Sequence, residues 1–436
     1  MAIPMILAQL VNVLYNIVDR IYIGRMPEDA FMALTGLGVC LPIISMVLAF
    51  ANLFGMGGAP LCSIERGRGN NEEAENIMGN SFVMLVASGI ILTVLGLLIK
   101  KPMLYLFGAS DITFPYADQY VTIYLLGNIF VMISLGMNNF INSQGFGRIA
   151  MMSVILGAVA NIILDPIFIF VFHMGVQGAA LATIISQMLS AIWVLQFLTG
   201  NKAILKLKKS SFKLKKHRVI KIIGLGTSGF VMQFTNSLVQ VVSNATLQQY
   251  GGDLYVGIMT VVNSVREFLS MPVMGLSSGA QPVMGYNYGA HEYKRVKSCI
   301  KFTAIASLIY NTVMWLFIES FPEFFIHIFN SDAEVLQSGV PMMRLFFVGF
   351  FIMTLQYAGQ SVFVALGKAK YAVFFSIFRK AVLVFPLVII LPKLWGLGIS
   401  GVFLSEPISE FIGATACFVT MIVIVGSELK EDKNEE

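Results

Sequence analysis

The run AMMSVILGAVANIILDPIFIFVFH, Ala150 to His173, places Asn161, Asp165 and Pro166 inside an otherwise apolar stretch. A carboxylate near the middle of a membrane helix costs roughly 2.5–3.5 kcal/mol on insertion scales, so it faces a cavity or a partner. Asn161 and Asp165 are four apart and share a helical face. Pro166 has no N–H and would clash with the Ile162 carbonyl, which predicts a kink one turn earlier and a carbonyl left open to bind. Two side chains and a loosened backbone converge on one spot. The plainer alternative is an Asp hydrogen-bonded to a neighbouring helix for packing alone.

Around this stretch the chain of 436 residues is 57% hydrophobic and only 12% charged. Its mean hydropathy is +0.79. A soluble domain carries about twice that charge. Apolar runs of about 20 residues recur between short polar connections, which predicts an all-α polytopic membrane protein. Helices are favoured because each satisfies its own backbone amides in lipid. About twelve spans are expected: 2–24, 33–62, 77–99, 117–142, 150–173, 176–199, 221–248, 254–284, 298–318, 335–365, 370–392 and 396–425. The first run is too long and wrongly flanked for a removable signal peptide. Cys40, Cys62, Cys299 and Cys417 have no CxxC spacing and read as small packing residues.

Lys and Arg set the orientation. One set of connections carries Arg66, Arg68, Arg148, the cluster from Lys202 to Lys221, Lys294, Arg295, Lys297, Lys301, Lys368 and Lys370. The opposite set holds only Arg25, Lys100, Lys101 and Lys393, and its connection from Glu319 to Glu334 is acidic. The richer set is expected inside, which puts both termini in the cytoplasm. The strongest composition break, NKAILKLKKSSFKLKKHRVIK at 201–221, reads as a cytoplasmic linker between two lobes, 1–200 and 222–426. Topology signal and headgroup contact account for its basic charge without nucleic acid. The tail from 427 to 436 reads as a solvated charged end.

The two lobes repeat each other. Displaced by 224, Gln9, Asn12, Leu14 and Asp29 meet Gln233, Asn236, Leu238 and Asp253; displaced by 220, Gly69, Glu72, Gly147, Arg148 and Pro166 meet Gly289, Glu292, Gly367, Lys368 and Pro386. Displaced by 223, Gly175, Gly178, Leu181 and Ser186 meet Gly398, Gly401, Leu404 and Ser409. Six spans per lobe give both the same orientation, so the pseudo-two-fold axis lies along the membrane normal, as in transporters that rock two bundles about a central site. The symmetry is broken where it matters: Asp19 corresponds to Ser243 and Asp165 to Phe385. A site that needs two acids is expected in the N-terminal lobe alone.

YNIVDRIYIG (Tyr15 to Gly24), Asn161 with Asp165 and Pro166, GVQGAALAT (Gly175 to Thr183) and SSGAQPVMGYNYGA (Ser277 to Ala290) together resemble the multidrug and toxic compound extrusion (MATE) family, closest to its MepA-like bacterial branch. The resemblance covers nearly the whole chain. It implies two six-helix bundles in a V, alternating access, and export of cationic or amphipathic organic compounds driven by sodium or proton entry across the bacterial cytoplasmic membrane. The family's cation site falls on Asp19, Asn161, Asp165 and Thr183, with Asn138 a weaker match. Members carry a short cytoplasmic segment before the first span, so residues upstream of Met1 are expected. The carboxylates that some branches place in spans 7 and 10 are not found here.

Physically, two carboxylates in a partly dehydrated cavity titrate as one coupled unit and can hold a proton. With Asn161 and Thr183 supplying neutral oxygens they can instead hold sodium, which suits oxygen ligands as other hard cations do. Gln9, Asn12, Arg266 and Glu267 are candidates for the substrate cavity. Arg20 follows Asp19 and points to another face, which argues against a simple ion pair. Glu406 and Glu410 share a face beside Pro407 and read as interlobe or structural contacts. Arg344, Arg379 and Lys380 either snorkel or pair with these acids. The 25 methionines and 35 phenylalanines serve mostly packing and lipid contact.

No enzyme is expected. Gly224, Gly226 and Gly229 spell GxGxxG but follow no strand, and the HExxH-like run from His291 ends in Arg295. No cofactor is implied beyond the coupling ion. A monomer working on small molecules within lipid is the expected unit. The rival reading is a flippase for a lipid-linked precursor, which would use Arg20, Arg266 and Arg379 for a pyrophosphate; a channel is a weaker rival.

Overall fold

In a computed structural model the described residues, 2–23, 26, 30–107, 109–329, 333–394 and 396–429, are mostly helical and contain no strand. The chain runs through α1 (Ala2–Ile23), α2 (Ala30–Gly67), α3 (Asn71–Leu106), α4 (Phe114–Leu126), α5 (Asn128–Ser143), α6 (Gly147–Pro166) and α7 (Gly175–Thr199). It continues through α8 (Lys216–Gly289), α9 (Tyr293–Ser320), α10 (Pro322–Phe329), α11 (Ala333–Phe347), α12 (Met353–Ala365), α13 (Ala369–Ile377), α14 (Phe385–Ile390), α15 (Ile399–Ser409) and α16 (Thr415–Glu428). Wider π-turns occupy Ile167–Val171, Phe378–Val384 and Glu410–Ala414.

Among the described residues, seven stretches are long and apolar enough to cross a membrane unaided, and the bent α4–α5 pair makes an eighth. The expected fourth span is therefore broken: α4 and α5 meet at Gly127 and turn by 56°. The tenth is interrupted between α11 and α12. Spans 7 and 8 run through α8, divided at Gly252, whose φ of 66° and ψ of −164° stop one helix and start the next. At α3 the Asn70 side chain accepts from the Glu73 N–H, with Glu72 and Glu73 in the first turn, a strong helix start. Along the same helix Ile90, Ile91, Val94, Leu95 and Leu98 stay exposed, an apolar stripe suited to lipid tails.

The chain divides into two compact units, Met1–Gly226 and Thr227–Glu436. In the first, α2 packs on α3 and α5, α1 on α6, and α6 on α7. The second has one core around Val262, Val265, Phe347, Phe350 and Phe403, and another around Met284, Phe363, Phe375 and Met421. Gly226, part of the GxGxxG spelling, has a packing explanation: a Cβ there would overlap the Leu53 carbonyl of α2.

The basic connection after α7 is docked on the first unit. Ala203, Leu205 and Leu207 alternate inward and are buried, a period-2 pattern of extended chain. Asn80 of α3 donates to the carbonyls of Ser211 (3.0 Å) and Lys213 (3.1 Å) and accepts from the Lys215 N–H (3.1 Å). Gln144 accepts from the Leu205 N–H at 2.9 Å. Glu75 takes the Lys206 N–H at 3.0 Å and the Lys208 ammonium at 2.6 Å, and Arg218 grips Glu73 through two bonds of 2.7 and 2.5 Å. Two of its basic side chains, Lys208 and Arg218, are thus matched by carboxylates at the start of α3, and topology and headgroups account for the rest.

At the other end, α16 continues to Glu428, which pairs with Lys368 and accepts from Tyr288, so the expected solvated tail begins later than 427. Arg25, Asp29, the Arg20 side chain, the Asp253 side chain and the tail from 430 onward lie outside the described residues.

Candidate functional site

Within the first unit Asp165 and Asn161 are fully buried on the inner face of α6, one turn apart as their spacing requires. Asn161 Nδ2 donates to Asp165 Oδ1 at 3.2 Å. Asp165 Oδ2 and Asn161 Oδ1 receive no hydrogen bond from any described group. The Asp19 carboxyl, brought in by α1, lies within hydrogen-bonding reach of Asp165. A buried carboxylate oxygen that receives no donor, like Asp165 Oδ2, is costly unless a proton or a cation reaches it. The sequence places these two acids 146 positions apart; the packing of α1 on α6 brings them together.

Thr183 of α7 lines the same region, close to the buried Tyr120 hydroxyl of α4. A cavity of about 30 Å³ extends from Asn161 and Thr183 along α6 and α7, with Asn12, Asn138, Ser186 and Gln187 in its wall. Asn138 is on this wall, yet its amide is occupied structurally: it donates to the Ala150 carbonyl (3.2 Å) and accepts from Ser153 (3.2 Å), tying α5 to α6. Ser134 donates to Gln187 at 2.5 Å on the same wall. Gln9 is exposed on α1 and is not part of this cavity.

The α6 helix is not broken one turn before Pro166; winding widens after it into the π-turn Ile167–Val171. A missing N–H can be absorbed by widening the ladder as well as by bending it, and such turns recur at functional sites.

Sequence reading missed Tyr120, one of several polar side chains of α4 and not set apart from them by any spacing. It also missed a stripe that was legible: Thr183, Ser186, Gln187 and Ser190 recur at i, i+3, i+4 and i+7 in α7.

In the second unit the charged residues form a group of their own. Glu406 of α15 accepts from Lys380 Nζ (2.5 Å) and Arg379 Nη1 (3.1 Å), and Arg266 Nη1 lies 3.3 Å away. Glu410 has Arg379 at 4.0 Å. The pairing of Arg379 and Lys380 with these acids agrees with one of the two sequence expectations, and it occurs inside one unit. Arg344 is not in the group. Arg266 and Glu267 diverge: the arginine turns into the network, the glutamate is exposed. Two of the three arginines that a pyrophosphate-handling flippase would use are engaged with Glu406, which weakens that rival.

For metals, among the described residues no three His, Cys, Asp or Glu side chains gather at one point. The donor set at Asp19, Asn161, Asp165 and Thr183 is all oxygen, which suits a proton or a hard monovalent cation and not a transition metal.

Comparison with known proteins bears on the whole chain. The family model described as MatE matches residues 4–167 and 230–390. Multidrug export protein MepA of Staphylococcus saprophyticus is 24% identical over 434 residues, covering 100% of this chain and 94% of that one. MepA of Staphylococcus haemolyticus is 25% identical over 423 residues, covering 97% and 91%. Among solved structures, MATE in the bent conformation superposes with a TM-score of 0.93 at 21% identity, covering 99% of this chain and 95% of that one. A MOP superfamily transporter from Pyrococcus furiosus, whose binding pocket is described as of reverse polarity, superposes with a TM-score of 0.91 at 21% identity, with the same coverage. These structures share the fold.

Proposed function

The chain belongs to the MatE family, and from that premise we propose that it is a multidrug efflux transporter of the bacterial cytoplasmic membrane, a secondary antiporter and not an enzyme. Export of cationic or amphipathic organic compounds is driven by sodium or proton entry, through alternating access. The observation that supports the coupling is the approach of Asp19 to Asp165, with Asn161 donating to Asp165 and sharing a cavity wall with Thr183.

In this scheme the carboxyl pair holds the entering cation. Loading removes the repulsion between the acids and lets α1 and α6 close on each other; unloading reverses it. The π-turn after Pro166 gives α6 a segment that rewinds at low cost. Asn161 holds Asp165 in its rotamer, and Thr183 presents a neutral oxygen. Both termini and the basic connection are cytoplasmic, and the monomer is the working unit.

The test is ethidium efflux from vesicles under an imposed sodium gradient or an imposed proton gradient, wild type against Asp165→Asn. Efflux that follows one gradient and vanishes in the variant is expected, and it names the ion. A well-folded Asp165→Asn protein that expels dye at the wild-type rate refutes the coupling role.

A further inference from the structure

The coupling scheme uses Asn161 and Thr183 but leaves the polar stripe that runs on from them along α6 and α7 without a role. A stripe that serves packing alone is hydrogen-bonded from helix to helix, because an unpaired buried polar group is costly. The far half of this one meets that condition. Ser190 Oγ donates to the Ser153 carbonyl at 2.8 Å, and Ser153 Oγ donates to Asn138 Oδ1 at 3.2 Å. The half nearer the acids does not: Ser186 Oγ and Asn161 Oδ1 are buried and find no hydrogen-bond partner among the described groups.

Both of these residues line the cavity of about 30 Å³, together with Thr183, Gln187, Ser190 and Ser153. At about 10–15 Å³ for each water the space takes roughly two or three waters and no aromatic ring. Gly157 keeps it open, since a Cβ there would stand 2.4 Å from Ser190 Oγ. The cavity begins at Asn161, one hydrogen bond from Asp165, and reaches Ser153, eight positions back along α6 or about 12 Å of helix. That direction leads to the helix ends that carry Arg148 and the basic connection. Short of those ends the rings of Phe146 and Phe197 meet edge-on, 5.1 Å between centres.

We infer that this polar trough is the hydrated path by which the coupling cation travels between the acid pair and the cytoplasmic end of the unit, with Ser186 at its midpoint. The Phe146–Phe197 contact closes its lower end in this conformation. A small hard cation trades hydration water for hydroxyl and amide oxygens along such a path, and a proton passes along it from water to water. An organic substrate is too large to enter. The path rests on the coupling reading of Asp19 and Asp165 and adds to it the way out. Ser186 acts on delivery of the cation and not on the holding of it.

The test compares two movements of ethidium in vesicles that hold the full chain. One is net efflux driven by the ion gradient; the other is exchange of labelled for unlabelled ethidium without a gradient, which needs no cation to leave the pair. Ser186→Val removes the hydroxyl and fills the space with methyl groups. It should slow gradient-driven efflux about tenfold and leave exchange within about twofold of wild type, a split that misfolding or a damaged dye site cannot produce. Ser186→Thr, equal in size to the Val variant but with the hydroxyl kept, should recover about threefold of the lost rate. Should Ser186→Val fail to fold, Ser186→Ala, which adds no bulk, reads the same split at about threefold. Efflux at the wild-type rate in the folded variant, equal slowing of efflux and exchange, or a Ser186→Thr protein as slow as Ser186→Val overturns the inference. Asp165→Asn, run beside them, separates the two readings. If it loses gradient-driven efflux while Ser186→Val keeps it, the path alone fails; if it keeps efflux, the coupling reading fails and the path with it.

Discussion

Replacing Asn80 by Leu should release the basic connection from the first unit. The buried Asn80 side chain makes three hydrogen bonds to linker backbone, at 3.0, 3.1 and 3.1 Å. Leu keeps the bulk and loses all three. At about 1 kcal/mol net for each bond, the docked form loses about 3 kcal/mol. The freed groups can turn to water, so the linker undocks and does not remain in place unsatisfied. At 1.4 kcal/mol per factor of ten, the undocked population rises roughly 150-fold. The assay is trypsin cleavage between Lys202 and Lys221 on purified protein in nanodiscs. When reclosing outpaces cleavage, the cutting rate follows the open population. Exposed Glu72→Gln, eight positions away on α3, is the control and should leave the rate unchanged. An Asn80→Leu protein that folds and is cut within about twofold of the wild-type rate would refute the docking argument.

Other outcomes follow from the same geometry. Gly79→Ala should mimic Asn80→Leu, because its Cβ would stand 2.5 Å from the Ser211 carbonyl oxygen, and the same digestion reads it. Tyr120→Phe should keep the fold but raise the ion concentration for half-maximal efflux by about three- to tenfold, since it removes a buried polar hydroxyl beside Thr183. Because Asp19 and Asp165 act as one unit, the double Asn variant should be no worse in gradient-driven efflux than either single variant. Glu406→Gln should lower stability by about 3–5 kcal/mol, since it strips a buried network of the carboxylate that three cations share; thermal unfolding in detergent measures it.

The sequence by itself determined the solvent, the element type and the halves. Hydropathy runs report burial in lipid directly, and a helix satisfies its own backbone whatever surrounds it. The 220- to 224-residue repeat and the four-residue spacing of Asn161 and Asp165 are local facts, legible without a fold, and they already confined the paired acids to one lobe. Tertiary structure alone decided what lies far apart in sequence and close in space. It set Asp19 against Asp165, put Tyr120 behind Thr183, and separated Arg266 from Glu267, adjacent residues with different fates. It showed the π-turn Ile167–Val171 that follows Pro166, which no local sequence pattern announces. It also settled the basic connection, whose charge was plain in the sequence while its partners Glu73 and Glu75 were not. Periodicity fixes which face a residue occupies; which helix meets that face is fixed only by packing.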